Sequence, residues 1–124
     1  MTRVLLVEDH RADVMLLQDT LEFAGMNWTV EDVPTFEAAA RCWQATPFDL
    51  LLLDLDLPDG LGLELLTRAL RLAAGVPVVV LSGLEDPRLA ATALQMGAAG
   101  YVIKGLEAAE HLRRIIGPST ATRR

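Results

Sequence analysis

A run of four leucines, Leu50–Leu53, leads directly into the acidic residue Asp54 and then into Pro58 and Gly60. An apolar run this short, closed by a proline and a glycine, is typical of a strand buried on both faces, as in a parallel sheet. Asp54 is therefore predicted at the carboxyl end of a central strand, where open α/β sheets bind their ligands. Because a carboxylate is costly to remove from water, we expect the rest of the chain to supply partners for Asp54.

The remainder of the chain repeats this alternation of a short apolar run and a segment with helical periodicity. The predicted strands cover residues 4–7, 28–30, 50–53, 76–81 and 100–103, the second being the weakest and a candidate edge strand. The predicted helices cover residues 11–24, a segment capped by Thr35, a segment between Gly62 and Gly75, a segment from Asp86-Pro87 to about Met96, and residues 108–116. Five strands alternating with five helices predict a parallel sheet with helices on both faces and right-handed crossovers.

Length and composition favour one folded domain. The chain has 124 residues, of which 52% are apolar and 23% charged, so it can build a core and disorder is not expected. We assign residues 1–117 to the domain and residues 118–124, which are polar and lack periodicity, to a tail or the start of a linker. No apolar run approaches the ~20 residues that span a bilayer, and a strand follows Met1 almost at once. We therefore expect neither a membrane segment nor a signal peptide.

Charge and cysteine content narrow the function classes further. The net charge of −6 argues against nucleic-acid binding by this domain, because such binding usually requires a basic face. The single cysteine, Cys42, cannot form an intrachain disulfide or build a cysteine-based metal site alone. A reduced, cytoplasmic setting fits this composition.

Polar and charged side chains occur at the ends of four predicted strands. In chain order they are Glu8 and Asp9, Asp54, Ser82 and Lys104. Because the carboxyl ends of parallel strands meet at one edge, with neighbouring strands ~4.8 Å apart, we expect the carboxylates to crowd together. Like charges so close favour a bound cation. Hard carboxylate oxygens without cysteine select Mg²⁺ or Mn²⁺ over zinc.

Ser82 and Lys104 extend this cluster toward phosphoryl chemistry. A hydroxyl, an ammonium and a metal ion together can bind a phosphoryl group, because phosphoryl transfer depends mostly on positioning and charge neutralisation. An aspartate carboxylate can serve as the nucleophile in such a site. The residues alone therefore predict phosphoryl transfer centred on Asp54.

The motifs at these strand ends resemble the receiver domain of two-component response regulators, the CheY-like superfamily. The matching motifs are Glu8-Asp9, Asp54-x-x-x-Pro58-x-x-x-Gly62, Ser82-Gly83 and Tyr101-x-x-Lys104. Each motif is weak alone, but the four together, in order and at matching strand ends, are specific, and the likeness runs from residue 3 to about residue 116. The resemblance implies a flavodoxin-like (βα)5 fold, a doubly wound parallel sheet with strand order 2-1-3-4-5. That order is inherited from the family, and the residues alone do not predict it.

The resemblance implies a role for each acidic residue. Asp54 would be the phosphoacceptor, which attacks the phosphohistidine of a sensor histidine kinase or a phosphotransfer protein. Asp9 and Asp54 would bind Mg²⁺ directly, together with the backbone carbonyl of Asp56. Glu8 would act mainly through water.

The resemblance also implies a switch. Ser82 and Lys104 would bind phosphoryl oxygens, and the rotamer of Tyr101 would follow the position of Ser82. Phosphorylation would then bias two packings of the face formed by the fourth helix, the fifth strand and the last helix, and a downstream effector or output domain would read the result. A sharper hypothesis makes that face a docking or homodimer surface. Such a domain phosphorylates itself and slowly loses the phosphoryl group, and is not an enzyme with turnover.

Two residues near the motifs need separate interpretations. The family usually has a proline in a cis peptide after the lysine, whereas Gly105 follows Lys104 here. Glycine permits unusual backbone angles without a cis bond, so we expect a looser turn but no loss of activity. His10 adjoins the acidic pair and is predicted to be a solvated residue at the helix start, not a ligand.

Three other functions match parts of the pattern. Asp54-Leu55-Asp56 resembles the nucleophile motif of haloacid-dehalogenase-like phosphohydrolases, but Pro58 replaces the expected Thr or Val, the motif follows the third strand, and no room remains for a cap domain. A degenerate receiver, acting only as a protein-binding module, would lack an acid, the hydroxyl or the lysine, and none is missing. A flavin-binding module needs a phosphate loop rich in Ser, Thr or Gly after the first strand, where residues 8–11 are instead acidic.

Overall fold

The computed structural model describes residues 2–122, with side chains described for residues 2–117. The strands of the main sheet are β1 (Thr2–Val7), β2 (Trp28–Val33), β3 (Leu50–Leu53), β4 (Val78–Ser82) and β5 (Gly100–Ile103). The helices are α1 (Arg11–Phe23), α2 (Phe36–Ala45), α3 (Leu63–Leu72), α4 (Pro87–Met96) and α5 (Ala108–Thr122). Between β3 and α3 a short antiparallel hairpin pairs Asp56–Leu57 with Gly60–Leu61, outside the main sheet.

The main sheet has the order β2-β1-β3-β4-β5, and each neighbouring pair is parallel. This confirms the predicted flavodoxin-like (βα)5 sheet and its strand order. Val7 at the end of β1 is the register partner of Leu53 at the end of β3. The residues that follow these two strands, Glu8 and Asp54, therefore leave the sheet side by side.

The leucines of β3 are buried on both faces of the sheet, as predicted. All four are fully buried. Leu50 and Leu52 pack in one core layer with residues of α1 and α5, while Leu51 and Leu53 pack in the other layer with residues of α2, α3 and α4. Full burial of such side chains stabilises the fold by about 1.5–3 kcal/mol each, so β3 fixes the centre of the domain.

Capping residues begin two helices as the sequence predicts. The Thr35 hydroxyl accepts a hydrogen bond from Ala38 N at 3.1 Å, and Asp86 Oδ1 accepts one from Leu89 N at 3.0 Å. Pro87 is the first residue of α4, where its missing N–H costs no helical hydrogen bond.

Three strands differ in length from prediction, and the first, β1, begins at Thr2, two residues before its predicted start. The edge strand β2 runs to Val33, three residues further than predicted. β4 starts at Val78 and not at residue 76, since Pro77 has no N–H for a ladder and only its carbonyl pairs, with Leu51 N at 3.0 Å. The short hairpin after β3 was not predicted, because its strands are too short to carry a periodic signal.

Helix α5 contains a break at the predicted stop. Gly117 has φ +68° and ψ −179°, and helical backbone resumes beyond it to Thr122. The side chains of residues 118–122 and all of residues 123–124 lie outside the described part of the chain, so the boundary at residue 117 stays a prediction. Within residues 2–122 no helix combines the length and apolarity that a bilayer crossing requires.

Candidate functional site

The acidic residues that follow β1 and β3 converge at the carboxyl edge of the sheet. Asp54 N donates to Val7 O at 3.1 Å, which joins the start of this turn to the end of β1. One carboxylate oxygen each of Glu8, Asp9 and Asp54, and one ring nitrogen of His10, all lie within 4.8 Å of one another. A group of donors this close could hold one metal ion.

Asp54 is buried, with 6% of its surface exposed. Burial raises its pKa from the ordinary 3.8 to about 6; the Lys104 ammonium opposes this shift and Glu8 adds to it. Asp56 N donates to Asp54 Oδ1 at 3.3 Å, which also favours the ionised carboxylate. Asp54 is thus a carboxylate whose charge the protein only partly compensates.

Lys104 is the cation among these carboxylates. Its Nζ lies 2.7 Å from Glu8 Oε1, 2.9 Å from Asp13 Oδ2 and 3.5 Å from Asp54 Oδ2. The contact with Glu8 is an ion pair with a side chain that is fully buried. Burial alone would lower the Lys104 pKa, but the interactions with Glu8 and Asp13 outweigh it and raise that pKa. Lys104 is therefore a fixed positive charge at neutral pH.

Gly105 lets the lysine enter the site without a cis peptide. Its φ is +148°, in the region that favours glycine, and no peptide bond in residues 2–122 is cis. Lys104 N donates to Ser82 O at 2.7 Å, which anchors the turn to the end of β4. The lysine reaches Asp54 although the usual proline is absent.

Ser82 and Tyr101 meet at the same loop residue, Leu84. Ser82 Oγ accepts a hydrogen bond from Leu84 N at 3.0 Å and lies 3.4 Å from Leu84 O. The Tyr101 hydroxyl donates to the same carbonyl oxygen at 2.9 Å. The two predicted switch residues are therefore linked through one residue of the loop before α4.

A cleft of about 410 Å³ opens over this edge of the sheet. Asp54, Ser82 and Lys104 line it together, with Asp56 and Leu84 at its walls. A carboxylate, a hydroxyl and an ammonium thus face one space that is large enough for a phosphoryl group.

The donor set fits a hard divalent cation. Asp9 Oδ1 is buried and, among the described residues, accepts no hydrogen bond. A buried carboxylate oxygen without a donor is costly, and a cation between Asp9 and Asp54 would satisfy it. Glu8 differs, because Oε1 pairs with Lys104 and Oε2 accepts from His10 N at 3.1 Å. Glu8 thus has less free capacity for a metal than Asp9 has.

His10 lies closer to the carboxylates than its prediction as a solvated residue implies. Its side chain is 62% exposed, but Nδ1 is 3.1 Å from Glu8 Oε2 and 3.4 Å from Asp9 Oδ1. The hydrogen bond with Glu8 and the charge of Asp9 raise the His10 pKa. His10 is both solvated and part of the group that could hold a metal.

Asp13 was missed by the sequence reasoning. It lies in the first turn of α1 and bonds Lys104 Nζ. No local pattern points to this bond, because its partner, Lys104, lies 91 positions away in the chain.

Comparisons with known proteins agree with this geometry. The family model described as the response regulator receiver domain matches residues 4–116. The chain is 39% identical over 104 residues to the KDP operon transcriptional regulatory protein KdpE of Escherichia coli (strain K12), covering 84% of this chain and 45% of that protein. It is 33% identical over 116 residues to the methanogenesis regulatory protein FilR1 of Methanothrix harundinacea (strain 6Ac), covering 90% of this chain and 26% of that protein.

Solved structures show the same likeness in three dimensions. The phosphorylated cyanobacterial phytochrome response regulator RcpA matches with a TM-score of 0.73 and 27% identity, over 98% of this chain and 94% of that one. The chain spans less than half the length of KdpE and FilR1, so the shared part is one domain of those proteins. Because the family match covers nearly all of β1 to α5, the chain belongs to the receiver domains of two-component response regulators, which are signalling domains.

Proposed function

We propose that this domain accepts a phosphoryl group on Asp54 and transmits the signal through the surface formed by α4, β5 and α5. The observation that carries the proposal is that Asp54, Ser82 and Lys104 line one cleft beside an acidic cluster that could hold a metal. The donor would be a sensor histidine kinase or a phosphotransfer protein in the cytoplasm. We do not expect this domain to bind nucleic acid or a membrane.

The chemical step is a displacement at phosphorus. A carboxylate oxygen of Asp54 forms a bond to the phosphorus as the bond from phosphorus to the donor histidine nitrogen breaks, and that nitrogen keeps the electron pair and takes up a proton. The product is an acyl phosphate on Asp54. The Lys104 ammonium, with three N–H donors, would bind one phosphoryl oxygen while it keeps a carboxylate partner, and the Ser82 hydroxyl would bind another.

Mg²⁺ or Mn²⁺ would be held by Asp9, Asp54 and the backbone carbonyl of Asp56, with Glu8 acting through water. When bound, such an ion supplies neutralisation of the crowded carboxylates and of the phosphoryl oxygens. Asp9 Oδ1, which accepts no hydrogen bond from the described residues and lies 3.4 Å from His10 Nδ1, supports direct ligation. The shorter contacts of Glu8 with Lys104 and His10 support its indirect role.

The switch would start at Ser82. A Ser82 hydroxyl drawn to a phosphoryl oxygen would give up its contact with Leu84, and Leu84 O is also the acceptor of Tyr101. Loss of that shared contact would free the Tyr101 ring and change the α4-β5-α5 face. Leu84 and Leu94 are large apolar side chains exposed near this face, which supports docking of an effector or output domain, or a homodimer.

The test is incubation with acetyl phosphate and Mg²⁺, read by intact mass. We expect one phosphoryl adduct on the wild-type protein, lost with EDTA and absent from Asp54→Asn. Asp56→Asn is the matched control, since it removes an exposed carboxylate two residues away and keeps the backbone carbonyl.

Three results would contradict the proposal. A folded wild-type protein that forms no adduct with Mg²⁺ present would be a degenerate receiver. Steady turnover of a generic phosphate ester without a lasting adduct would favour the haloacid-dehalogenase-like phosphohydrolase. An adduct that survives in Asp54→Asn would place the acceptor elsewhere.

A further inference from the structure

Asp13 makes a contact that the proposed chemistry does not yet use. Its Oδ2 accepts a hydrogen bond from Lys104 Nζ at 2.9 Å, across 91 positions of the chain. The bond joins the first turn of α1 to the turn between β5 and α5, and Asp13 also lines the cleft over Asp54.

The direction of the Lys104 side chain is fixed by its contacts with Glu8, Asp13 and Asp54 more than by the backbone of the turn that carries it. Gly105 adopts a left-handed φ, and the space where its Cβ would project has no atom within 4 Å. Lys104 N is bonded to Ser82 O, so the backbone is anchored before the glycine and not packed at it. The long, flexible lysine stem therefore depends on contacts at its ammonium end.

The three carboxylates around Lys104 Nζ are not equivalent. Glu8 and Asp54 belong to the group whose oxygens could bind a metal, whereas Asp13 does not. A cation at that group competes with Lys104 for Asp54. Asp13 Oδ2 also lies 3.9 Å from His10 Nδ1, but its shorter contact, at 2.9 Å, is with Lys104 Nζ.

We propose that Asp13 is a positioning residue that holds the Lys104 ammonium over the cleft, at the place where it meets the phosphoryl group. The inference rests on the proposed function, because it assigns to Asp13 a role in phosphoryl acceptance by Asp54. Asp13 touches neither Asp54 nor the phosphoryl group and acts through Lys104.

The test compares Asp13→Asn with three other variants in the acetyl phosphate reaction. Asp13→Asn keeps the side-chain shape and removes the charge, and we expect phosphorylation to slow about tenfold, the size of one charge-assisted hydrogen bond. Asp13→Glu restores a carboxylate and should recover most of the rate. Asp19→Asn removes an exposed carboxylate from the same helix and should leave the rate unchanged.

The third variant, Lys104→Gln, separates positioning from a general structural role. If Asp13 acts through Lys104, adding Asp13→Asn to Lys104→Gln slows the reaction no further. An equal slowing in both backgrounds, or an unchanged rate in Asp13→Asn alone, would overturn the inference. Asp13→Glu keeps the test valid if Asp13→Asn does not fold.

A second measurement does not depend on phosphorylation. The ¹⁵N signal of the Lys104 ammonium should be visible in the wild-type protein and in Asp13→Glu, and exchange-broadened in Asp13→Asn. If the wild-type protein takes up no phosphoryl group but this pattern holds, the proposed function fails while the contact stands. If the signal is the same in all three proteins, the positioning role is wrong.

Discussion

The two halves of the cleft are held by different kinds of contact. In the charged half, Lys104 is surrounded by carboxylates from the ends of β1 and β3 and from α1. In the neutral half, Ser82 and Leu84 line the cleft, and Leu84 O accepts a hydrogen bond from Tyr101, which does not line it.

This difference assigns different tasks to the two halves: the charged half would accept the phosphoryl group, and the neutral half would transmit the signal. Removing one partner of a buried ion pair leaves an uncompensated charge and costs about 3–5 kcal/mol, so the charged half is expected to keep its geometry. A neutral hydrogen bond contributes about 0.5–1.5 kcal/mol, so the neutral half can rearrange when a phosphoryl group offers Ser82 a better partner. Four substitutions test this contrast.

The largest effect is expected for Lys104→Gln, which would break the charged half. Glu8 is fully buried and would lose its cation, so the free energy of unfolding should fall by about 2–4 kcal/mol. Urea unfolding at pH 7 measures it. The matched control is Arg41→Gln, which removes the exposed pair with Glu37 and should change stability by less than about 0.5 kcal/mol. An equal fall in the free energy of unfolding in both variants would show that the charged half of the cleft is held no more strongly than an exposed ion pair.

Asp54→Asn should act in the opposite direction. The pKa of Asp54 is about 6 in the folded protein against an ordinary 3.8, so the folded state holds the proton more tightly than the unfolded state. Ionisation therefore destabilises the fold as pH rises from about 4 to about 6, and the penalty is complete above that window. The variant should gain about 1–2 kcal/mol at pH 8 in EDTA and nothing at pH 4, as measured by urea unfolding. A gain that is independent of pH would contradict this cause.

Ser82→Ala tests the neutral half. Leu84 N would lose its acceptor but could bond to water, so the free energy of unfolding should fall by about 1 kcal/mol. Amide hydrogen exchange should rise in residues 83–86 and stay unchanged in β3. Ser82→Thr keeps the hydroxyl and is the control. Faster exchange throughout the sheet would mean that Ser82 supports the fold and not only the loop.

The smallest effect is expected for Tyr101→Phe. Its hydrogen bond to Leu84 O is exposed, so stability should change by about 0.5 kcal/mol. The initial rate of phosphorylation by acetyl phosphate should stay within about twofold, because Tyr101 does not line the cleft. A fall in the free energy of unfolding as large as that in Lys104→Gln would show that the two halves act as one unit.

The fold followed closely from local patterns. The leucine run of β3, the caps Thr35 and Asp86, and Gly97 at the end of α4 were visible in the sequence, because burial on both faces and capping are set by neighbouring residues. The order of the strands came from the family resemblance, since strand periodicity does not say which strands are neighbours.

The candidate site was only partly predictable. Strand ends brought Glu8, Asp9, Asp54, Ser82 and Lys104 to one edge, as the alternation of strands and helices requires. The Asp13 bond was missed because its partner, Lys104, lies 91 positions away, and no pattern within one segment records such a contact. The approach of His10 Nδ1 to Asp9 was also missed, although the two residues are neighbours in the chain.

The sequence by itself determined where each strand ends and which chemical group follows it, because an apolar run closed by Pro or Gly stops at a defined residue. Only the tertiary structure decided what each group contacts there. The partners of Lys104 come from three separate segments, one of them 91 positions away. Contacts between distant segments depend on the packing of the whole chain, whereas burial and turns depend on a few neighbouring residues.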